Sequence, residues 1–215
     1  VKTTYEGVDI VQALIEAWYS EYHEIPSEGI VGVLYAQNSL ETGYSKSMWN
    51  NNIGNIKAID KSVGTVNYVV LPGTWEILGG KKVILSPDNP GSRFLAFDTL
   101  KEGVLHHLRF LKGKRFAKAW NTVLTGDPAQ FSHELKKQMY YTADEATYTR
   151  NVVWIFDKYK KDKLYSKALE KTQIKVDPLP INLNQDHPTE KESDVSLDLN
   201  WWQNIVQFFI KMFTR

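Results

Sequence analysis

The 215-residue chain has no cysteine. This absence excludes a disulfide framework, and a chain without thiols is compatible with an exported protein as well as with a cytosolic one. The chain also has no excess of charge of one sign, since 26 Lys and Arg residues stand against 25 Asp and Glu residues. This balance argues against nucleic acid as a partner, because nucleic-acid-binding surfaces concentrate basic residues.

Two further signals are absent. No His or Asp cluster at metal-ligand spacing surrounds the adjacent His106 and His107, so packed or solvated histidines are expected, and no metal site or cofactor is predicted. No segment combines a basic start with an apolar core in the manner of a secretory signal peptide, and the chain begins at Val1, which is compatible with removal of an export segment. Localisation therefore has to be inferred from the substrate.

Aromatic residues are abundant, with 7 Trp and 11 Tyr, so some of them are expected to face a ligand or a membrane. The apolar residues of segment 30–40 recur at helical spacing, and Gly43 is expected to end that helix, which places Glu41 in its last turn. A turn rich in Ser, Asn and Gly follows, with Tyr44 and Trp49 within it. One acid, aromatic rings and amide donors together indicate carbohydrate chemistry, whereas a lone Glu41 would be a solvated residue.

The rest of the pattern runs from helices through strands and back to helices. A packing helix is predicted over residues 7–22, strand-like alternation over 63–86 with a hairpin around Gly79 and Gly80, and a short strand over 93–98. Helical periodicity then returns, beginning at a capping box formed by Thr99 and Glu102, and continues to residue 161. This order predicts an α+β fold.

Segment 36–58 carries a compound motif. It contains Ala-Gln, Leu-Glu-Thr-Gly-Tyr and Asn-Asn-Ile-Gly-Asn-Ile-Lys-Ala in that order. The segment resembles the signature of family 73 of the glycoside hydrolases, the peptidoglycan glucosaminidases, which reads approximately Ala-Gln-x-x-Leu-Glu-Ser-Gly-Trp-Gly and then Asn-Asn-x-x-Gly-Ile-Lys-Ala. The chain departs from this pattern at Thr42, Tyr44 and Ser45 and by the inserted Asn55, and these departures leave the acid Glu41 untouched.

Three later motifs resemble the same family in the same order. They are Thr-Trp-Glu at 74–76, Arg-Phe-Leu-Ala-Phe-Asp at 93–98, and the block 140–148, in which Tyr140 replaces a usual Gly and Glu145 a usual Pro. The resemblance covers roughly residues 8–161. It implies a lysozyme-like α+β fold, mostly helical with a small β-hairpin insertion, in a catalytic domain of residues 1–171.

Hydrolysis of a glycosidic bond needs one group to protonate the leaving oxygen and another to stabilise the oxocarbenium-like centre or activate water. Glu41 is predicted to be the general acid, because apolar walls at a helix end would raise its pKa. Glu76 on the hairpin is predicted to be the base or stabiliser, with an exposed hairpin charge as the alternative. A 2-acetamido group of the sugar would make Glu76 less essential by acting as the nucleophile itself.

The resemblance also implies a role for Tyr141, whose hydroxyl would orient water or hold the acetamido group; the alternative is a core tyrosine. The remaining residues predicted to bind substrate are Tyr44, Trp49, Asn52, Asn55, Trp75 and Tyr140. Rings of this set would stack on sugar faces and the amides would bond sugar substituents, although a plain turn explains the asparagines equally well.

The composition changes beyond residue 172. Residues 172–200, which contain Pro178, Pro180 and Pro188 among many polar residues, are predicted to be an extended linker. Residues 201–215 hold two Trp, three Phe and two basic residues, a stretch too short to span a bilayer. An amphipathic helix is predicted there, either at a membrane surface or docked onto the catalytic domain or a partner.

The predicted function is hydrolysis of β-1,4 bonds in peptidoglycan glycan strands by an endo-acting N-acetylglucosaminidase. An N-acetylmuramidase of the same fold is the nearest alternative, because motifs do not reveal which bond is cut. A non-catalytic wall-binding or membrane-active module is the alternative from another class. The substrate implies an exported protein, in the periplasm, the cell wall or outside the cell.

Overall fold

The computed structural model of the protein describes residues 1–58, 67–78, 81–141, 143–172 and 174, with the backbone alone for 76–78. These residues form seven α-helices and four short strands. The helices are α1 (Gly7–Tyr22), α2 (Glu28–Thr42), α3 (Leu100–Lys112), α4 (Ala117–Thr125), α5 (Pro128–Lys137), α6 (Glu145–Lys161) and α7 (Leu164–Lys171). The strands are β1 (Tyr68–Val70), β2 (Trp75–Leu78), β3 (Lys81–Ile84) and β4 (Arg93–Leu95).

Helix α2 is the central element of the helical core. Its start is fixed by Ser27, whose hydroxyl accepts a hydrogen bond from the backbone N–H of Ile30, and its end by Gly43 in the left-handed conformation at φ 59°. Helix α6 crosses it at Gly32, where an added Cβ would lie only 2.7 Å from Phe156 and 2.8 Å from Tyr159. Close helix packing therefore buries almost the whole of α2, including its polar residues.

The strands form two antiparallel pairs. Strands β2 and β3 make the predicted hairpin, with Glu76 opposite Val83, and β1 pairs with β4, with Val69 opposite Phe94. The predicted strand over 93–98 is shorter than expected, since it ends at Leu95. Residues 63–66 and the turn at Gly79 and Gly80 belong to the predicted β region but lie outside the described residues.

The helices after the strands begin and end at local capping residues, which include the predicted capping box. Thr99 and Glu102 form the capping box of α3, the left-handed Gly126 ends α4, and the Asp127 carboxylate caps α5 ahead of Pro128. The mostly helical α+β plan with a β-hairpin insertion is therefore confirmed. None of the described helices has the length and hydropathy needed to cross a membrane.

Helix α7 was not predicted as a separate element. It has eight residues, starts after the left-handed Lys163 without a side-chain cap, and buries only Ala168 fully. Beyond it, Thr172 is the C-cap of α7, and Ile174 packs against the helical core. The rest of the predicted linker over 172–200 and the predicted amphipathic helix over 201–215 lie outside the described residues.

Helix α3 supports the turn that follows α2. Gly103 lies directly beneath this turn, and a Cβ built on it would stand 1.9 Å from the carbonyl oxygen of Asn51. The Asn51 side chain in turn donates to the carbonyl oxygens of Phe97 and Asp98 at 2.9 and 3.1 Å. The turn after α2 is therefore held against the start of α3 by a contact that tolerates no side chain.

We expect Gly103→Ala to destabilise the fold by ~2 kcal/mol or more, because the methyl group forces the 51–52 backbone away from α3. Urea denaturation at constant pH measures the change in the free energy of unfolding. Lys101→Ala, at an exposed position of the same helix, is the matched control and should change stability by less than about 0.5 kcal/mol. Equal stability of the two variants would contradict the close contact.

Candidate active site

The Glu41 side chain lies in the last turn of α2 and is only 1% exposed. Its Oε1 accepts a hydrogen bond from the Tyr148 hydroxyl at 3.1 Å, and a longer one from Gln37 Nε2 at 3.4 Å. Its Oε2 has no hydrogen-bond partner among the described residues. The two oxygens of this carboxyl group therefore have different surroundings.

Burial raises the pKa of Glu41 to about 8, against the smaller opposing effects of the hydrogen bonds from Tyr148 and Gln37. Removing a carboxylate from water without a cation to pair with it favours the neutral form. The group therefore keeps its proton at neutral pH. A carboxyl group in this state can donate a proton to a leaving oxygen.

Two buried tyrosines surround this carboxyl group. Tyr148, on the first turns of α6, and Tyr140, between α5 and α6, are both 0% exposed. Burial and the neighbouring Glu41 raise the pKa of both hydroxyls well above the usual value. Gln37 Nε2 also donates to the Tyr140 hydroxyl, at 2.6 Å. The site is thus a network of neutral hydrogen-bonding groups around one acid.

Tyr141 faces away from Glu41. Its hydroxyl lies 3.1 Å from the Ser132 Oγ and donates to the Ser132 carbonyl oxygen at 3.1 Å, while its ring stacks on Tyr148 with centroids 3.6 Å apart. The tyrosine hydroxyl that contacts the acid belongs to Tyr148, which was not among the predicted site residues. The structure places the Tyr141 hydroxyl against Ser132 of α5, and its predicted role at the reacting centre stays a prediction.

The turn after α2 uses its asparagines mainly to fold. Asn52 is 1% exposed; its Oδ1 accepts from the Ile56 N–H at 2.9 Å and its Nδ2 donates to the Ile56 carbonyl oxygen at 2.8 Å. Asn55, in the left-handed conformation at φ 47°, donates from Nδ2 to the Glu41 carbonyl oxygen at 2.8 Å. Asparagine adopts the left-handed conformation more readily than most residues, so the inserted Asn55 fits this position, and its hydrogen bond joins the turn to the end of α2.

A groove of about 600 Å³ runs between this turn and the strands. Trp49 and Asn55 line it on one side, and Trp75 lines it together with the residues around Thr74 on the other. The Lys82 ammonium lies 4.3 Å from the ring centroid of Trp75. Indole rings beside polar groups provide the flat apolar faces and hydrogen-bonding edges that a sugar chain requires.

The structure divides the residues predicted to bind substrate into two groups. Trp49, Asn55 and Trp75 come together in the groove. The other three lie elsewhere: Tyr44 is partly buried against the helical core, Asn52 is enclosed in its own turn, and Tyr140 is fully buried behind Glu41. In this structure these three side chains pack within the protein, and their contact with substrate stays a prediction.

Two predictions outside this network have different outcomes. Glu76 lies in β2, but its side chain is outside the described part, so its role as base or stabiliser stays a prediction.

His107 is buried against Gly54, and burial lowers its pKa to about 3, so it is a neutral, packed histidine. No group of three or more His, Cys, Asp and Glu residues in the described ranges could hold a metal ion.

A buried carboxyl group that keeps its proton, in a protein that also has a groove lined with tryptophan, is typical of glycoside hydrolases. The Glucosaminidase family, described as mannosyl-glycoprotein endo-β-N-acetylglucosaminidase, matches residues 25–161, which is more than half of the chain. The chain belongs to this family. The resemblance seen in the sequence motifs is thereby confirmed, as are the predictions of a glycoside hydrolase and of endo-β-N-acetylglucosaminidase activity.

Two solved structures are similar to this chain. The glycoside hydrolase domain of Salmonella typhimurium FlgJ is 20% identical and covers 78% of this chain and 100% of its own, with a TM-score of 0.47. A C-terminally truncated form of the same domain is 19% identical and covers 73% of this chain and 99% of its own, also with a TM-score of 0.47. No curated protein matches the sequence.

We expect Glu41→Gln to stabilise the protein progressively as the pH rises from about 5 to 8. The folded protein binds the Glu41 proton more tightly than the unfolded chain, so the unfolded state loses its proton first and wild-type stability falls with pH until the folded pKa is passed. Gln cannot ionise and therefore loses none of this stability. The difference in the free energy of unfolding at pH 8 should be on the order of a few kcal/mol.

Urea denaturation at several pH values measures this difference. Glu170→Gln makes the same substitution at an exposed position of α7 and should follow the wild-type curve. Parallel curves for Glu41→Gln and wild type would mean that the carboxyl group is not held neutral by burial.

Proposed function

We propose that the protein hydrolyses β-1,4 glycosidic bonds of peptidoglycan glycan strands, with Glu41 as the general acid. The observation that carries the proposal is the neutral, buried Glu41 carboxyl at the end of α2, whose backbone is joined through Asn55 to a groove lined by Trp49 and Trp75. The motifs shared with the peptidoglycan glucosaminidases favour this substrate over the mannosyl-glycoprotein in the family description. An activity on the bacterial wall would also make this an exported protein.

The acid step follows from the state of the carboxyl group. The proton of Glu41 passes to the oxygen between two sugars as the bond to the anomeric carbon breaks, and the carboxylate so formed is stabilised by donors from Tyr148 and Gln37. The positive charge at the anomeric carbon is met either by Glu76 or by the acetamido carbonyl of the sugar itself. Water then completes the hydrolysis.

Asn55 connects the groove to the backbone of Glu41. This residue lines the groove and also holds the carbonyl oxygen of Glu41, so it joins the sugar-binding surface to the end of α2. Because Glu41 is only 1% exposed, a bound glycan must displace part of the surrounding structure to bring its glycosidic oxygen to the carboxyl group. Exclusion of water at that moment strengthens the electrostatic contacts of the site.

Glu41→Gln should lower the turnover of purified peptidoglycan by about a hundredfold or more, because the amide cannot supply the proton. Products are reduced with borohydride and identified by mass spectrometry. Reduced N-acetylglucosamine ends from wild type, absent with Glu41→Gln, are the expected result, and Glu170→Gln should release them at the wild-type rate.

Other products would redirect the assignment. Reduced muramic acid ends would indicate a muramidase, and cleavage of the N-glycan core of a mannosyl-glycoprotein with no release from peptidoglycan would exclude the wall substrate. Binding to peptidoglycan by both wild type and Glu41→Gln, with no products from either, would favour a binding module. Attention would then turn to residues 201–215, whose predicted membrane or docking role stays a prediction.

Trp75→Ala should raise the KM for soluble glycan fragments about tenfold with a smaller change in kcat. An aromatic face that stacks on a sugar outside the reacting centre binds the ground state and the transition state equally, and its loss is worth about 1.4 kcal/mol. Steady-state kinetics measure both constants. Trp75→Phe keeps a ring and should recover part of the affinity; an unchanged KM in Trp75→Ala would remove Trp75 from the substrate-binding surface.

A further inference from the structure

The Gln37 side chain hydrogen-bonds to both Glu41 and Tyr140. It is 0% exposed and lies one helical turn before Glu41 on α2. The single Nε2 atom donates to Glu41 Oε1 at 3.4 Å and to the Tyr140 hydroxyl at 2.6 Å. A primary amide has two N–H groups, so each of these bonds can use one of them. The bond to Tyr140 is much the shorter of the two.

Tyr140 is held firmly where it meets Gln37. Its ring packs edge-on against Phe116, with centroids 5.3 Å apart at 75°, and its backbone N–H donates to the Leu135 carbonyl oxygen at 2.9 Å. The residue is fully buried. The family motif usually has Gly at this position, so the hydroxyl beside Gln37 is a feature of this chain rather than of the motif.

We infer that Tyr140 is a positioning residue, which acts on Glu41 by fixing the amide of Gln37 with its nitrogen toward Oε1. The inference rests on the proposed role of Glu41 as the acid. The short bond from Nε2 to the Tyr140 hydroxyl holds the amide nitrogen within reach of Oε1, and loss of that hydroxyl removes the contact that keeps the amide in this place. Oε1 then accepts from both Gln37 and Tyr148, which assigns the transferable proton to Oε2.

The titratable groups around Glu41 are tyrosines. Tyr148 faces it from α6, Tyr140 faces it from the segment between α5 and α6, and Tyr141 adjoins this pair through its stack on Tyr148. No charged side chain is among the groups that shift the pKa of Glu41 in the described structure. A change in the orientation of the Gln37 amide should therefore be visible in the titration of Glu41.

Tyr140→Phe keeps the ring but leaves Gln37 free to turn. Loss of the donor to Oε1 removes a bond that favours the carboxylate, so the pKa of Glu41 should rise by about half a unit to one unit, the equivalent of one hydrogen bond. The alkaline limb of the pH profile of kcat/KM should move upward by the same amount. At the pH optimum, kcat should fall about threefold to tenfold as the acid loses its orientation.

The control is Tyr159→Phe. It also removes a hydroxyl from a 0% exposed tyrosine that packs on α2, but that hydroxyl donates to the Glu28 carbonyl oxygen at the opposite end of the helix. Its pH profile should match that of wild type even if its melting temperature falls. A double-mutant cycle with Gln37→Leu tests whether Tyr140 acts on Glu41 through Gln37. If it does, Tyr140→Phe should have little further effect in a protein that already lacks the amide.

A carboxyl ¹³C NMR titration reads the pKa of Glu41 without turnover, with its signal assigned by its absence in Glu41→Gln. A rise in Tyr140→Phe but not in Tyr159→Phe supports the inference. An unchanged pKa and pH profile in Tyr140→Phe, or full additivity with Gln37→Leu, would overturn it. Wild-type turnover by Glu41→Gln would instead overturn the proposed function, and the two failures are thereby distinguished.

Discussion

The site depends on burial of the Glu41 carboxyl group without a cationic partner. Burial of a charged carboxylate would strongly destabilise the fold, and Glu41 avoids this cost because it stays protonated at physiological pH. The structure then needs only neutral donors, which Tyr148 and Gln37 supply to one of the two oxygens. Stability and chemistry are coupled here, because the burial that keeps the proton on the acid also makes the ionised group costly after the proton has left.

Helix packing maintains this burial. Gly32 lets α6 approach α2 closely enough to bring Tyr148 over the carboxyl group, and Gly103 lets the turn after α2 rest directly on α3. Asn55 links that turn to the last carbonyl groups of α2, so the acid and the groove are held by one continuous set of backbone contacts. The two glycines at these helix contacts thus determine the position of the Glu41 carboxyl group.

Local signals in the sequence predicted most of the described fold. Ser27, Gly43, the capping box at Thr99 and the Asp127-Pro128 start all act over a few residues, and each defines a helix end as expected. Helix α7 was not predicted, because it has no side-chain cap at its start and buries only Ala168 fully. The acid itself could be found because its motif is local, and the aromatic groove residues Trp49 and Trp75 because they sit in motifs of the same kind.

Side-chain direction across elements could not be predicted in the same way. Tyr141 and Tyr148 belong to one motif and stack on each other, yet the Tyr141 hydroxyl points to Ser132 and the Tyr148 hydroxyl to Glu41. Only the packing of α6 on α2 decides this difference.

The uncharged surroundings of Glu41 also affect how the acid responds to salt. The pKa of Glu41 is set by desolvation and by uncharged hydrogen-bond donors. Dissolved ions, which screen charges at the surface, should therefore have little effect on this pKa, so the protonation of the acid should depend little on ionic strength.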